Sequence, residues 1–330
     1  MKPPYKISNE ILSLIASVSE KIGAVNAAHL SRPPALLRRK NIIKTIHSSL
    51  EIEGNTLTVE QITAIVENKR IIGPQKDIIE VKNAIEVYNQ LNEFKPYRYT
   101  SFCKAHKLLM SGLIERPGKL RSKSVGIVAG SEITHITPPG EMVKPLLNDL
   151  FRYLKNDRDL VLIKSCVFHY ELEFIHPFID GNGRMGRLWQ TLILKEKYPV
   201  FEFLPVEALI KERQSEYYDA LGNSDKKGES TLFIKFMLEI INESLNELLK
   251  TQNVTLTKLD RIQLFKTIIK KKYFTRKDYL RNFKEISLST ASRDLKYAVD
   301  EGILEKSGDK NTTKYQYTNL HDLRFKIDDF

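Results

Sequence analysis

The sequence has few cysteines and no long apolar run. Its 330 residues include only Cys103 and Cys166, too few for a disulfide framework, so we expect a protein of the reducing cytoplasm. No apolar run reaches the ~18 residues that span a bilayer. The apolar stretch at 11–18 is interrupted by serines, which predicts an amphipathic helix and not a signal peptide. We expect no membrane partner. Glycine and proline, at 15 and 13 residues, exclude a collagenous or proline-rich chain.

The remaining composition is that of a globular protein with a basic excess. Hydrophobic residues at 42% and charged residues at 28% exclude wholesale disorder, and the length favours two or three domains. The 52 Lys and Arg against 41 Asp and Glu give a net charge of +11. Residues 257–330 hold 17 of these basic and 11 of these acidic residues, so more than half of the excess lies there. Such a charge favours a polyanionic partner.

Apolar residues recur at helical spacing through most of the chain. We predict helices at 7–25, 38–53, 58–69, 76–94, 100–113, 141–155, 159–174, 184–196, 206–221 and 230–250. β-Branched residues around the Gly130-Ser131 pair predict a hairpin at 125–137.

The pattern changes after a predicted linker at 251–255. Three helices (258–272, 275–282 and 289–301) precede two short strand-like runs near 303–305 and 314–318. This order is typical of a winged helix-turn-helix domain.

The stretch from His176 to Arg187, HPFIDGNGRMGR, carries groups suited to phosphate chemistry. His176 precedes a proline and should end a helix. The turn at 181–183 should lead into a helix beginning near Arg184, whose first N–H groups can bind an anion. Arg184 and Arg187 lie three apart and match phosphate geometry, and Asp180 suits Mg²⁺ beside phosphate oxygens. With His176 as a general base, the stretch predicts phosphate transfer on a nucleotide.

A second unusual position is Glu53. The helix predicted from residue 38 has Ile46 and Leu50 on one apolar face, and Glu53 falls on the same face at the helix end, before Gly54. A carboxylate there opposes the helix dipole and points inward. A residue that breaks two local rules at once often has a function.

The 176–187 stretch resembles the Fic family signature, H-x-F-x-[D/E]-G-N-G-R-x-x-R, at every specified position, and the likeness extends from about residue 40 to 245. Pro117–Arg121 with the hairpin resembles the family's target-docking flap, and Arg213 with 216–221 resembles its segment at the nucleotide base. The resemblance implies a mainly α fold: an N-terminal helical region (1–95) and a Fic catalytic core with a β-hairpin flap (96–250), here followed by the winged helix (257–330). It implies an enzyme, a protein adenylyltransferase that moves AMP from ATP to a Ser, Thr or Tyr hydroxyl of a target protein or of itself, releasing pyrophosphate.

The same resemblance assigns roles to individual residues. His176 would be the catalytic base, Phe178 would anchor the loop, and Asp180 would hold Mg²⁺. The expected ATP-binding residues are Gly181, Asn182, Gly183, Arg184, Met185, Gly186 and Arg187 in the signature, with Tyr217, Tyr218 and Asn223 at the adenine. Ser49, Glu53 and Gly54 resemble the family's inhibitory motif, [S/T]-x-x-x-E-[G/N], so Glu53 would pair with Arg187 in place of the γ-phosphate. A brake of this kind defines the second class of the family.

One alternative has a different function. The winged helix offers Ser, Thr and Arg near the start of its third helix, as groove-reading helices do, so the chain could be a DNA-binding regulator whose Fic part is vestigial or senses a nucleotide. The partner of residues 257–330, DNA or protein, stays open. So do the target protein, the choice of nucleotide, the direction of the reaction, and whether the chain is a monomer or a homodimer.

Overall fold

The structure, a computed structural model, describes residues 2–27, 35–123, 126–129, 132–250, 258–269, 273–283, 286–309 and 313–318. Two compact units divide the chain: residues 1–32 with 41–251, and residues 33–40 with 252–330. Apart from residues 33–40, the N-terminal helical region therefore shares one unit with the predicted core. The predicted linker at 251–255 and the last residues of the helix predicted at 258–272 lie outside the described ranges.

The fold is mainly helical, which confirms the predicted fold class. In chain order the helices before residue 251 are α1 (Asn9–Ala27), α2 (Ala35–Ile52), α3 (Val59–Val66), α4 (Gln75–Asn89), α5 (Tyr99–Leu109), α6 (Gly140–Asn156), α7 (Val161–Ile175), α8 (Asn182–Lys197), α9 (Val206–Glu212), α10 (Gln214–Lys227) and α11 (Thr231–Lys250). Between α5 and α6 the antiparallel strands β1 (Gly126–Ala129) and β2 (Glu132–Ile136) form the predicted hairpin, with a register shift after Ile127.

One predicted helix is wrong. The segment 206–221 is not continuous, because Arg213 leaves helical geometry at φ −108° and ψ 37° and separates α9 from α10. The apolar period runs across this break, so the pattern alone predicts one helix. The helix predicted at 76–94 also ends at Asn89, and a short 3₁₀ turn at Leu91–Glu93 follows it.

Helices α7 and α8 form the centre of the first unit. α7 buries 10 of its 15 residues and α8 buries 12 of its 16, and a helix buried on all sides is normally apolar. α8 departs from that rule, because its buried residues include the polar Asn182, Arg184, Arg187, Gln190 and Thr191. Buried polar groups need hydrogen-bond partners, so the residues packed around α8 must supply them.

The second unit has its own apolar core. Its helices α12 (Lys258–Ile268), α13 (Arg276–Asn282) and α14 (Leu288–Asp300) are followed by the antiparallel strands β3 (Leu304–Ser307) and β4 (Lys314–Tyr317). Phe265, Phe274, Tyr279 and Leu295 are fully buried there. This order of three helices and two strands is the order that the sequence predicts for residues 257–330.

Candidate active site

His176 ends α7 in a left-handed backbone conformation, with φ 47° and ψ 63°. A residue before proline is expected to end a helix and to have an extended backbone. His176 does end the helix, but its backbone is left-handed and not extended. Here the left-handed residue keeps its N–H on the carbonyl of Leu172 at 2.9 Å and so caps the helix. A non-glycine residue in this region stores about 1–3 kcal/mol of strain, and such strain is concentrated at functional sites.

The loop after His176 is anchored from both sides. Phe178 is fully buried and stacks on the His106 ring, with 3.5 Å between ring centroids, and on Phe102 at 5.3 Å. The Asn182 side chain accepts from the Phe178 N–H at 2.9 Å and donates to the Phe178 carbonyl at 3.0 Å. Asn182 can therefore offer an incoming ligand its backbone N–H, while its side chain closes the loop.

The loop leads into α8 through Gly181, which is left-handed at φ 86°. The helix begins at Asn182, two residues before the predicted start, because the Met185 N–H already bonds the Gly181 carbonyl at 3.0 Å. The N–H groups of 182–184 precede that first bond and have no acceptor within the helix. Together with the helix dipole they form an anion-binding end.

Arg184 is held by two carboxylates. Its guanidinium donates to Glu80 at 3.0 Å and to Asp180 at 3.0 Å, and its side chain is 4% exposed. Glu80 is equally buried and also accepts from Asn55 Nδ2 at 2.8 Å. Asp180 is 46% exposed and lies at the open side of the helix end. Glu80 and Asn55 complete the site without any signal in the sequence.

Arg187 joins α8 to the end of α2. Its Nη2 donates to Glu53 Oε1 at 2.7 Å and to the Ser49 carbonyl at 2.9 Å, and its Nε donates to Ser49 Oγ at 3.1 Å. Burial lowers the pKa of Arg187, but the Glu53 carboxylate and other acidic neighbours hold it above its ordinary value. The guanidinium is therefore a fixed cation.

Glu53 was predicted to be the last residue of a helix at 38–53, but it lies one residue beyond the observed helix α2. α2 ends at Ile52, and the turn that follows uses Gly54 at φ 90°. The Glu53 carboxylate rests against the first turn of α8, since a Cβ on Gly183 would be 2.5 Å from its Oε1. An anionic group thus already sits at the anion-binding helix end.

His106 is a site residue that the sequence analysis missed. Its Nδ1 accepts from the Gly118 N–H at 2.8 Å, so its Nε2 carries the proton and donates to the Asp180 carbonyl at 2.9 Å. Burial lowers its pKa to about 4. This neutral ring ties the segment before the hairpin to the signature loop. One histidine on an amphipathic helix gives no sequence signal of such a contact.

The residues expected at the adenine differ in exposure. Tyr217 is 1% exposed and its hydroxyl contacts His169 Nε2 at 3.1 Å, which makes it part of the core beneath Arg187. Burial raises the pKa of Tyr217. Tyr218 is 49% exposed, and Asn223 is exposed on α10. Of the two tyrosines, Tyr218 presents a surface to a ligand.

Met185 and Gly186 of the signature are both buried. The Met185 side chain is fully buried. A Cβ on Gly186 would lie 2.5 Å from Glu173 Oε1 and 2.6 Å from His169 Cδ2, so glycine permits close packing against α7. Any contact of these two residues with ATP would be through the backbone.

A cluster of metal-binding side chains and a membrane-spanning helix are both absent from the described residues. In the part of the chain that the structure describes, no group of three or more His, Cys, Asp and Glu side chains could hold a metal ion. Within the same ranges, every helix is too short or too polar to span a bilayer.

Comparison with known proteins identifies the family of this site. Residues 96–194 match the Fic/DOC family. The protein adenylyltransferase Fic of Nematostella vectensis is 26% identical over 259 residues, which cover 76% of this chain and 58% of that protein. The Drosophila erecta protein of the same name is 29% identical over 245 residues, covering 70% of this chain and 47% of its own. The chain thus spans about half the length of these curated relatives.

Solved structures extend the likeness to nearly the whole chain. A crystal structure of a Fic domain containing signaling protein from Bacteroides thetaiotaomicron, 18% identical, covers 74% of this chain and 98% of its own with a TM-score of 0.57, which shows the shared fold. The crystal structure of a Fic family protein from Desulfovibrio desulfuricans G20 is 36% identical, covers 97% of this chain and 99% of its own, and superposes with a TM-score of 0.74. With a relative this similar over nearly its full length, the chain belongs to the Fic/DOC family.

Proposed function

We propose that the protein transfers AMP from ATP to a hydroxyl of a target protein, and to itself. The observation that carries this proposal is the N-terminus of α8, where backbone N–H groups without an acceptor in the helix lie with two buried arginines, and where the loop from His176 leads in. Such an end binds phosphate, and a histidine beside it can accept a proton. Relatives named protein adenylyltransferase Fic support the choice of reaction.

The reaction divides its work among these residues. The hydroxyl oxygen attacks the α-phosphorus of ATP, the bond from that phosphorus to the α,β-bridging oxygen breaks, and pyrophosphate leaves. His176 takes the hydroxyl proton as general base. The N–H groups of 182–184 and the Arg184 guanidinium hold the phosphate oxygens, and Arg187 grips the γ-phosphate once it is free of Glu53. The β1–β2 hairpin would dock the target main chain by strand addition.

Mg²⁺ fits this site only together with the nucleotide. Asp180 is a half-exposed carboxylate beside the phosphate cradle, and Mg²⁺ in such sites is bound through one or two carboxylates plus phosphate oxygens. Because no cluster of three protein ligands occurs in the described ranges, the remaining ligands would be phosphate oxygens and water. The ion would neutralise charge on the phosphates when bound.

We further propose that Glu53 inhibits this reaction. Its carboxylate binds Arg187 at 2.7 Å and occupies the helix end where the γ-phosphate would be held. ATP that enters beside it would have its α-phosphate misaligned for in-line attack. Ser49 supports the brake, because its side chain and carbonyl both accept from the same guanidinium.

The test is incubation with α-³²P-labelled ATP and Mg²⁺, comparing the wild type, Glu53→Gly and the double variant Glu53→Gly/His176→Ala. We expect label on the protein with Glu53→Gly and almost none with the double variant. Absence of label from a folded, ATP-binding Glu53→Gly protein would overturn self-modification. Equal label with and without His176 would overturn its role as base.

We propose a cytoplasmic location, because both cysteines of the chain are free thiols. Cys103 and Cys166 are both free, and Cys166 is fully buried. A protein without a disulfide between its cysteines suits a reducing compartment.

A second candidate function, DNA binding, belongs to the second unit. Ser289, Arg293 and Lys296 are exposed along one side of α14, the helix that reads the major groove in such domains. We expect full-length protein to bind duplex DNA with an affinity that falls linearly in log–log plots against salt, and Arg293→Ala to weaken it. Binding that is absent at low salt would exclude this function.

A further inference from the structure

Arg121 is a buried arginine whose contacts join two parts of the first unit. It is 4% exposed. Its Nε donates to the His176 carbonyl at 2.6 Å and its Nη2 to the Ile175 carbonyl at 3.0 Å. On the other side, Nη1 donates to the Lys123 carbonyl at 2.7 Å and Nη2 to the Pro138 carbonyl at 2.7 Å. One guanidinium thus holds the end of α7 and both stems of the β1–β2 hairpin.

The backbone of Arg121 strengthens the first of these contacts. Its N–H donates to the Pro177 carbonyl at 2.9 Å, so Arg121 binds three consecutive carbonyls from Ile175 to Pro177. A cation at this end of α7 is favoured by the helix dipole. The middle carbonyl belongs to His176, whose left-handed conformation persists only where the surroundings hold it. Arg121 is therefore one of the groups that hold the strained residue in place.

The hairpin stems are close-packed where Arg121 binds them. A Cβ on Gly140 would lie 2.1 Å from the Ser122 carbonyl oxygen, so the two stems pass in backbone contact. All the hydrogen-bond acceptors given above for Arg121 are neutral carbonyls, and burial lowers its pKa. A buried cation without a carboxylate partner is a costly way to stabilise a fold. Its planar fork does, however, fix four carbonyls at defined positions, which a lysine ammonium or an apolar side chain cannot do.

We propose that Arg121 is a positioning residue that sets the β1–β2 hairpin relative to His176, so that a hydroxyl presented on the hairpin meets the catalytic imidazole. This inference rests on the proposed AMP transfer. A misplacement of about 1 Å in such a reaction can cost about 10²-fold in rate. Because its side chain is bound to four carbonyls, Arg121 itself would touch neither the nucleotide nor the reacting hydroxyl.

The experiment uses the full chain with Glu53→Gly as the reference and adds Arg121→Met or Arg121→Lys. Arg152→Met is the matched control, because Arg152 is an exposed arginine paired only with Asp149 among its described contacts. We expect Arg121→Met to lower the self-labelling rate between about 10- and 100-fold while the Kd for ATP changes less than about threefold. Arg121→Lys should recover part of the rate, and Arg152→Met should match the reference.

Hydrogen exchange supplies a readout that does not need activity. Amides of the hairpin, at 126–129 and 132–136, should exchange faster in both Arg121 variants than in the reference. An unchanged labelling rate in folded Arg121→Met, or a parallel loss of labelling and ATP binding in Arg121→Lys, would overturn the positioning role. If the reference itself does not label, the proposed function fails, and unchanged hairpin exchange would separately refute the hold of Arg121 on the hairpin.

Discussion

The Arg187 guanidinium and the Glu53 carboxylate meet at 2.7 Å across 134 positions of sequence. Arg187 is 1% exposed and Glu53 is 27% exposed, so the pair has one buried end and one end that faces the site. An ion pair of this kind can be replaced from the open side. A phosphate oxygen that displaces Glu53 would meet the same guanidinium and the same helix end.

Glu53→Gly should therefore raise AMP transfer, by about tenfold or more, if misalignment of ATP is what limits the wild type. The same change should lower the free energy of unfolding by about 1–2 kcal/mol, because Arg187 loses its partner, and a half-open pair costs less than the ~3–5 kcal/mol of a fully buried one. Self-labelling at saturating ATP and urea denaturation measure the two effects. Glu51→Gly is the matched control and should not activate.

Arg187→Ala breaks the same pair from the other side, and it should not activate. It removes the expected γ-phosphate ligand together with the brake, so ATP would bind without being oriented. We expect labelling at or below the wild-type rate. Activation by Arg187→Ala would show that the arginine serves only the brake, and equal labelling by wild type and Glu53→Gly would exclude the brake.

His176→Ala should lower transfer by about 10²–10⁴-fold and leave ATP affinity nearly intact. His176 lies before the glycine turn, outside the helix end that would hold the phosphates, so its replacement should leave the phosphate-binding groups in place. Single-turnover labelling and calorimetry, both in the Glu53→Gly background, check the two parts. The control is His47→Ala, at a partly exposed histidine of α2. A collapse of ATP affinity in His176→Ala would assign the histidine to nucleotide binding.

Glu80→Ala should destabilise the protein by about 3 kcal/mol, because it leaves the buried Arg184 cation without its buried partner. Glu80→Gln should cost less, since an amide oxygen can still accept from Arg184 and Asn55. The exposed Glu86→Ala on the same helix should stay within about 0.5 kcal/mol. Denaturant midpoints at constant m-value measure all three. Equal losses from Glu80→Ala and Glu86→Ala would mean that Asp180 alone holds Arg184.

The sequence was informative where chemistry is local. The 176–187 segment is contiguous, so its glycines, arginines and carboxylate could be assigned to a loop and helix start without knowledge of the fold. The inward side of Glu53 followed from the Ile46–Leu50 spacing. Helix interiors could be predicted from the apolar period. That period does not reveal a single non-helical residue such as Arg213, which separates α9 from α10.

Contacts between distant segments could not be read from the sequence. Glu80 reaches Arg184 across 104 positions, and His106 reaches the Asp180 carbonyl across 74. Each is one polar residue on an amphipathic helix, and its partner is decided only when the helices pack. Arg121 has four side-chain bonds to backbone carbonyls, which no side-chain pattern encodes. The supporting residues of the site are therefore a property of the fold.

His106 should make the stability of the protein depend on pH. An unfolded histidine titrates near ~6.5, while burial lowers the pKa of folded His106 to about 4. The unfolded chain therefore binds more protons between these values, and the contribution of His106 is complete above about pH 6.5 and is lost as the pH falls through 4. At about 1.4 kcal/mol per pH unit, the loss approaches about 3 kcal/mol.

Protonation of His106 would also change the site. A proton on Nδ1 ends its acceptance from the Gly118 N–H, so the tie between that segment and Asp180 is broken on one side. We expect the wild-type free energy of unfolding to fall more steeply between pH 6.5 and 4 than that of His106→Gln, whose amide can accept and donate without titrating. Burial raises the pKa of Glu207 to about 7, so the contribution of Glu207 to stability grows as the pH falls, opposite to that of His106. Because both proteins contain Glu207, the difference between their curves reports on His106. His47→Gln, at a partly exposed histidine of α2, is the control. Parallel curves for wild type and His106→Gln would show that His106 is not held neutral.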